Sequence, residues 1–247
     1  MARYDFRTPR LYVDATLSAA AEVVLDRDAA NHLCNVLRLS RGDAVLLFNG
    51  RDGEWRGVLA EAGKRAATVR AEERLRAQPA ATDLHYLFAP LKHARLDYVV
   101  QKAVELGVSR LQPVLTRHTQ VTRINLDRMR ANVIEAAQQC GVLAVPEVAE
   151  PARLDDAVAD VSRLLVFCDE DAGSADPVAA LRAAAGGKAV PLAVLIGPEG
   201  GFAEEERAML VTRANSVRLA LGPRILRADT AAVAALTLVQ AVLGDWT

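Results

Sequence analysis

The chain has 247 residues, about half of them apolar and a quarter charged, with a net charge of −1. This composition supports a globular core in one large or two ordinary domains, and the net charge alone does not indicate nucleic acid. Cys34, Cys140 and Cys168 show no paired spacing, which excludes a disulfide framework and favours a reducing compartment. No apolar run approaches the roughly 18 residues of a membrane span, and the polar start MARYDFRTPR is unlike a secretory signal. We therefore expect a soluble cytoplasmic protein.

The first 75 residues contain short apolar runs separated by glycines. The apolar pattern predicts strands at 11–13, 22–26, 43–50, 54–62 and 66–74, and a helix within 29–43. Asn49-Gly50 is typical of a hairpin turn. Several short strands with one helix predict a small barrel.

A polar segment around Pro79, residues 76–83, predicts a linker, and the pattern changes after it. Strands are predicted at 84–90, 110–116, 163–170, 189–202 and 216–222, and helices at 93–108, 125–141, 203–214 and 230–244. Gly107 is expected to end the first of these helices. Alternating strands and helices predict an α/β domain with a parallel sheet, and strands apolar on both faces require helices on both sides.

The stretch VLIGPEGGF (194–202) ends a buried strand with three glycines, a proline and Glu199. Ligands bind beyond the carboxyl ends of strands in open α/β sheets, and glycines there let a ligand approach the backbone. No lysine follows, so the loop does not match a phosphate-binding loop. Glu199 favours a cationic or hydroxyl-bearing ligand. The alternative is a tight turn with a surface glutamate.

A second glycine-proline loop occurs in LALGPRILRADTAA (219–232), again between a strand and a helix. We expect Asp229 or Thr230 to cap that helix. In RILR (224–227) the apolar pair could clamp a flat ring, while the arginines could hold phosphate or withdraw charge from a reacting base. Alternatively, the apolar pair fills the core and the arginines pair with nearby acids.

These two motifs together resemble the C-terminal signature of the RsmE-type 16S ribosomal RNA (uracil-N3)-methyltransferases of the SPOUT superfamily. The segments RLDYVVQKAVELGVSRLQPVLTRHTQ (95–120) and EAAQQCG (135–141) resemble other signatures of this family. NHLCNVLRLSRGD (31–43) resembles its N-terminal segment, so the resemblance covers nearly the whole chain in order.

The resemblance implies a PUA-like RNA-binding β-barrel in residues 1–75, a linker in 76–83 and a SPOUT methyltransferase domain in 84–247. It further implies a C-terminal trefoil knot and a homodimer. The chain departs from the family's pattern at two places. Asp229 stands where Glu is common, and Arg117-His118-Thr119 stands where Glu-Arg-Ser is frequent. Thr119 can still supply a hydroxyl, whereas His118 changes the charged position.

The implied cofactor is S-adenosylmethionine, whose sulfonium tolerates a nearby carboxylate and whose activated methyl group requires no metal. The four histidines show no metal-ligand spacing, so no metal is expected. The predicted cofactor-binding residues are Leu195, Ile196, Gly197, Gly200, Gly201, Leu221, Gly222, Ile225, Leu226 and Thr230.

Three residues are candidates for catalysis. Arg227 could stabilise the anion that develops on uracil. Glu199 or Asp229 could instead accept the N3 proton, directly or through water. The sequence does not decide between these roles.

Charge is unevenly distributed: residues 85–130 carry eight Lys/Arg against three Asp/Glu, and residues 131–247 carry nine against 16. A basic segment of this kind can face a polyanion, although ordinary solvated faces explain it equally well. The predicted RNA-binding arginines are Arg7, Arg10, Arg38, Arg41, Arg117 and Arg123.

The resulting hypothesis is an enzyme that methylates N3 of a uridine in 16S ribosomal RNA, with the small ribosomal subunit or its RNA as partner. Two alternatives remain. One is another SPOUT enzyme that methylates ribose 2′-O, and the other is a noncatalytic RNA-binding assembly factor.

Overall fold

A computed structural model of the protein describes residues 7–63, 66–92, 94–121, 123–173, 176–186 and 190–246. The predicted starts of a helix at 93 and a strand at 189 lie outside these ranges. The chain divides into two compact units. The first falls within Met1–Ala80 and Ala137–Val145, and the second within Ala81–Ala136 and Pro146–Thr247.

Among the residues described for the first unit, five strands form one sheet in the order β1-β3-β4-β5-β2. The strands are β1 (Arg10–Tyr12), β2 (Glu22–Leu25), β3 (Ala44–Phe48), β4 (Glu54–Ala62) and β5 (Ala67–Arg76). β1 pairs parallel with β3, and the other pairs are antiparallel. Alternation places Val23 and Leu25 in the core while Val24 is 74% exposed. The predicted strands are confirmed, with small shifts of boundary.

The observed helix is shorter than the predicted span 29–43, and it starts earlier, at Arg27. Helix α1 (Arg27–Asn31) begins at Asp26, whose carboxylate accepts a hydrogen bond from Ala29 N at 2.8 Å. It continues as a π-helical segment, His32–Val36, and Arg38 then adopts a φ of +58°. This backbone ends the helix before the predicted boundary.

The first unit also contains residues 137–145, which the predicted division at 76–83 did not include. Tyr12 N donates to Gln138 Oε1 at 2.8 Å, and Gln78 Nε2 donates to the Leu143 carbonyl at 3.1 Å. These bonds satisfy backbone groups at the margin of the sheet.

In the described part of the second unit, seven strands form a sheet in which every pair is parallel. Its order is β12-β10-β11-β6-β7-β8, with β9 also paired to β7. The strands are β6 (Leu84–Phe88), β7 (Arg110–Leu115), β8 (Glu147–Val148), β9 (Ala152–Arg153), β10 (Leu164–Cys168), β11 (Leu192–Ile196) and β12 (Ser216–Leu219). The predicted parallel α/β sheet is therefore confirmed.

Helices cover both faces of this sheet, as strands such as the fully buried β11 require. They are α2 (Ala94–Glu105), α3 (Leu126–Cys140), α4 (Leu154–Ala157), α5 (Pro177–Ala185), α6 (Glu204–Thr212) and α7 (Ala228–Leu243). α7 contacts β11, α2 and α5. On the other side, Leu154 of α4 and Leu210 of α6 pack into a core with Leu195 of β11.

Two glycines end helices as their sequence position predicts. Gly107, with φ +76°, follows α2 and donates its N–H to the Val104 carbonyl at 3.0 Å. Gly141, with φ +68°, follows α3. Positive φ is costly for residues with a Cβ, so glycine is favoured at both ends.

Four elements were not predicted: β8, β9, α4 and α5. The first three are too short to show a period. The start of α5 did carry a signal, because Asp176 precedes Pro177 and accepts hydrogen bonds from Val178 N and Ala179 N. Within the described residues, no helix has the length and apolarity to cross a membrane.

Candidate active site

Two glycine-proline loops lie at the same edge of the parallel sheet. The first loop, residues 197–203, follows β11, and the second loop, residues 220–227, follows β12. Parallel strands bring their carboxyl ends to one edge, where ligands bind in α/β sheets. β10 lies between β11 and β12 in the sheet.

Two of the three glycines in the first loop have separate structural reasons. A Cβ on Gly197 would lie 2.8 Å from the ring of Phe202, which packs against the core. Gly201 has φ +71°, and its N–H donates to the Pro198 carbonyl at 2.9 Å. A Cβ on Gly200 would only make ordinary contact with His118 at 3.6 Å. Position 201 therefore favours glycine because of its positive φ, and position 197 requires glycine because a Cβ would clash with Phe202.

The second loop exposes apolar and cationic side chains. Gly222 has φ +95°, Ile225 is 86% exposed, and Leu221 and Leu226 are partly buried. The alternative that Ile225 fills the core is therefore wrong. Within the described residues, Arg227 makes no ion pair or side-chain hydrogen bond, and neither does Arg224.

The expected cap of α7 is wrong. Arg227 occupies the N-cap position with extended backbone, and the helix starts at Ala228. Asp229 lies in the first turn, and its carboxylate accepts from the adjacent Thr230 N at 2.9 Å. Asp229 is therefore inside the helix, where its negative charge favours the helix N-terminus.

Arg95, in the first turn of α2, connects the first loop to the first turn of α7. Its Nη1 donates to Glu199 Oε1, and its Nε lies 4.0 Å from Asp229 Oδ2. The sequence did not single out Arg95, because only folding brings it to two acids more than 100 residues away. Both carboxylates proposed as proton acceptors therefore face one guanidinium.

The segment after β7 contributes a third side of the site. Thr119 Oγ1 accepts from Thr116 N at 2.8 Å, so its hydroxyl stabilises the local turn. The turn directs His118 toward the first loop, where its Nδ1 lies 3.1 Å from the Gly201 carbonyl. A shallow cleft that is open to solvent lies there. Its lining comprises Pro90, Leu91, Lys92, His118, Gln120, Val121, Pro198 and Glu199.

Glu206 connects the same segment to α6. Its Oε1 accepts from Arg117 N at 2.8 Å, and its Oε2 accepts from Ala203 N at 2.9 Å. The carboxylate thereby satisfies an unpaired N–H at the start of the helix. The Glu206 side chain therefore positions both the segment that contains His118 and the first loop.

Asp169 lies directly after β10, and its side chain is 6% exposed. Its Oδ2 accepts from Arg207 Nε at 2.9 Å and from Arg218 Nε at 3.1 Å. Burial raises the pKa of Asp169, but the hydrogen bonds from Arg207, Asp171 N and Arg218 outweigh it and lower the pKa below its ordinary value. The ion pairs join β10, α6 and β12 behind the two loops.

The predicted cofactor residues fall into two groups. The glycines and the second-loop residues line the loops, and Thr230 is exposed. Leu195 and Ile196, however, are buried, and the Ile196 carbonyl accepts from Ala89 N at 3.0 Å within the sheet. Neither of their side chains is open to a ligand, because strand β11 continues through them.

The prediction that Arg10 binds RNA is wrong. Arg10 is buried, and its Nε donates to the buried Glu54 carboxylate at 2.6 Å. It serves the core of the first unit, since burying Glu54 requires a cationic partner. Arg7, Arg38 and Arg41 are exposed in the first unit, while Arg117 and Arg123 are exposed in the second. Arg117 also lies 3.5 Å from Glu205.

Known proteins resemble this chain along most of its length. A family model for an RNA methyltransferase domain matches residues 78–240, and a model for an RNA methyltransferase PUA domain matches residues 25–72. Ribosomal RNA small subunit methyltransferase E of Rickettsia conorii is 30% identical, covering 94% of each chain. The protein of that name from Mycobacterium bovis is 29% identical, covering 95% of this chain and 92% of its own.

Two solved structures share the fold. The same-named enzyme of Neisseria gonorrhoeae, bound to S-adenosyl methionine, has a TM-score of 0.84 and 26% identity, covering 98% of this chain and 100% of its own. A Legionella pneumophila protein in complex with the cofactor SAM has a TM-score of 0.82 and 30% identity. The match covers 95% of this chain and 98% of the Legionella chain. With these matches spanning both units and the two glycine-proline loops, the chain belongs to the ribosomal RNA small subunit methyltransferase E family.

Proposed function

We propose that this protein transfers a methyl group from S-adenosylmethionine to N3 of a uridine in 16S ribosomal RNA. Family membership supports the class of reaction, and two relatives in the fold comparison are solved with this cofactor. The N3 position rests on the resemblance of the two loop motifs. The observation that carries the proposal is the pair of glycine-proline loops at one sheet edge, with Arg227 unpaired among the described residues.

The two loops fit the cofactor chemically. Gly201 and Gly222 have positive φ, and a Cβ on either would project into open space. This leaves open space beside the backbone into which a ligand can fit. Exposed Ile225 with Leu221 and Leu226 offers apolar surface for a flat ring. Glu199, which pairs with Arg95, stands in this loop where a phosphate-binding loop would have a lysine.

The bound cofactor supplies a methyl group already activated by its positively charged sulfur. The protein's part is then to hold methyl donor and acceptor in line. Arg227 would stabilise negative charge that develops on the acceptor base. Arg95 would hold Glu199 and Asp229 and so fix the first loop relative to the start of α7.

Several further features are part of the proposal. The first unit would bind RNA through Arg7, Arg38 and Arg41, and the division at 76–83 would separate binding from catalysis. A trefoil knot is supported by the resemblance. The homodimer and the cytoplasmic location rest on the resemblance and on the sequence.

Mass spectrometry of nucleosides tests the function. Small-subunit RNA from cells with and without the gene is digested, and the purified protein is then tested on RNA and on assembled subunits. We expect N3-methyluridine only where the protein is present. A methyl group on ribose would favour the 2′-O alternative, and failure to bind S-adenosylmethionine would favour a noncatalytic assembly factor.

A further inference from the structure

The shallow cleft beside the first loop is open to solvent and has both apolar and polar side chains along it. Pro90, Leu91 and Val121 contribute apolar walls, and Lys92, His118 and Glu199 contribute polar groups. Binding sites for small heterocycles combine apolar walls with a few placed polar groups. Proteins that recognise unstacked RNA bases stack them on flat side chains, histidine among them, and form hydrogen bonds to their edges.

The hydrogen bond of His118 fixes which ring nitrogen carries the proton. A carbonyl oxygen only accepts, so at 3.1 Å the Nδ1–H of His118 donates to the Gly201 carbonyl. In the neutral ring, Nε2 then holds a lone pair and is an acceptor. Nε2 has no hydrogen-bond partner in the part of the chain that the structure describes.

The carboxylates near the cleft are already engaged. Glu199 accepts from Arg95, and Asp229 accepts from Thr230 N beside the same guanidinium. Asp229 is also absent from the cleft lining. His118 therefore presents an acceptor in the cleft without a competing cation bound to it.

We propose that this cleft receives the acceptor uracil and that His118 Nε2 takes its N3 proton, an inference that rests on the proposed function. In this step the N3–H bond breaks, and the proton moves to Nε2. The N3 electron pair forms the bond to the methyl carbon, while the electrons of the carbon–sulfur bond leave with sulfur. The imidazolium then returns its proton to water.

The first test needs neither RNA nor cofactor. Nitrogen-15 NMR of the histidine rings in the free protein reports which nitrogen is protonated in the neutral form. We expect His118 to be the Nδ1–H tautomer. The Nε2–H tautomer would overturn the proposal, because Nε2 could then not accept a proton.

The second test compares His118→Gln with the matched variant His85→Gln, since His85 lies outside the cleft. Single-turnover methylation is measured at saturating S-adenosylmethionine and small-subunit RNA, and calorimetry measures cofactor affinity. We expect His118→Gln to slow methyl transfer by roughly 100-fold or more. Cofactor affinity should stay within about twofold of wild type, because the base acts on the acceptor. His85→Gln should match wild type.

Chemical rescue separates proton transfer from a structural role. Imidazole added to His118→Ala should restore part of the rate, whereas a structural histidine would not respond to it. Absence of rescue, or a near-wild-type rate in His118→Gln, would overturn this proposal while leaving the proposed function in place. A wild-type protein that forms no N3-methyluridine would overturn the proposed function itself.

Discussion

Gly201 and Gly186 share a left-handed backbone but differ in their surroundings. Their φ angles are +71° and +57°, and a Cβ on either would meet no atom within 4 Å. We expect both alanine variants to lose about 1–2 kcal/mol of stability. Only Gly201→Ala should also lower the affinity for S-adenosylmethionine, by about tenfold or more, because its Cβ would project into the ligand's space. Calorimetric titration measures affinity, and equal affinities in the two variants would remove Gly201 from the cofactor site.

Arg227 is well placed to stabilise negative charge on the acceptor base, because its side chain makes no ion pair among the described residues. It is exposed at the start of α7, with no ion pair among the described residues. We expect Arg227→Ala to cut the single-turnover rate by on the order of 100-fold while both substrates bind nearly as before. Arg182→Ala, an exposed arginine on α5, is the control and should keep the wild-type rate. Parallel loss of both affinities and of thermal stability would instead mark Arg227 as structural.

At the scale of elements, Asp169 joins β10 to α6 and β12 through Arg207 and Arg218. Its pKa is lowered in the fold, so its stabilising effect is present above the unfolded pKa of about 3.9. That effect is lost as pH falls through the lower folded value. We expect Asp169→Asn to lose about 2 kcal/mol near neutral pH, less than a wholly buried pair because both arginines are partly solvated.

Denaturant unfolding at several pH values checks this expectation. The difference between wild type and Asp169→Asn should shrink below about pH 4 as the wild-type carboxylate becomes protonated. Asp171→Asn is the matched control, since its side chain is 68% exposed and pairs only at the surface. It should change stability by less than about 0.5 kcal/mol. A constant difference across the acid range would contradict the ion-pair explanation for Asp169.

At the scale of the whole molecule, RNA binding and cofactor binding should be separable. Exposed Arg38 and Arg41 follow the π-helical segment of the first unit. Reversing both to Glu should weaken binding of a small-subunit RNA fragment and reduce the salt slope by up to about two. Affinity for S-adenosylmethionine should not change.

The control for this prediction changes net charge by the same amount at another place. Arg56 of β4 and Arg74 of β5 are also exposed in the first unit. If reversal at these two positions weakens RNA binding as much as reversal at Arg38 and Arg41, the effect is general charge and not a phosphate-binding surface.

The sequence predicted the elements that carry a strong local pattern. β4 has the predicted bounds, 54–62, because Gly53 and Gly63 mark its ends. The strand predicted at 189–202 is wrong at its end, because β11 stops at Ile196, directly before Gly197-Pro198. The family signature placed both loops. It did not anticipate that Ile196 and Leu195 would remain inside the sheet.

What the sequence by itself determined is therefore local: the periods of helices and strands, the glycines with positive φ, and motifs that identify a family. The tertiary structure alone decided the partners. Arg10 is buried because folding places Glu54 beside it, and Arg95 meets Glu199 and Asp229 from a different part of the chain. The Nδ1 of His118 lies within hydrogen-bond distance of a carbonyl 83 residues away. Local patterns follow from backbone geometry and burial, whereas the charge and hydrogen bonding of a site depend on which distant groups the fold brings within a few ångströms.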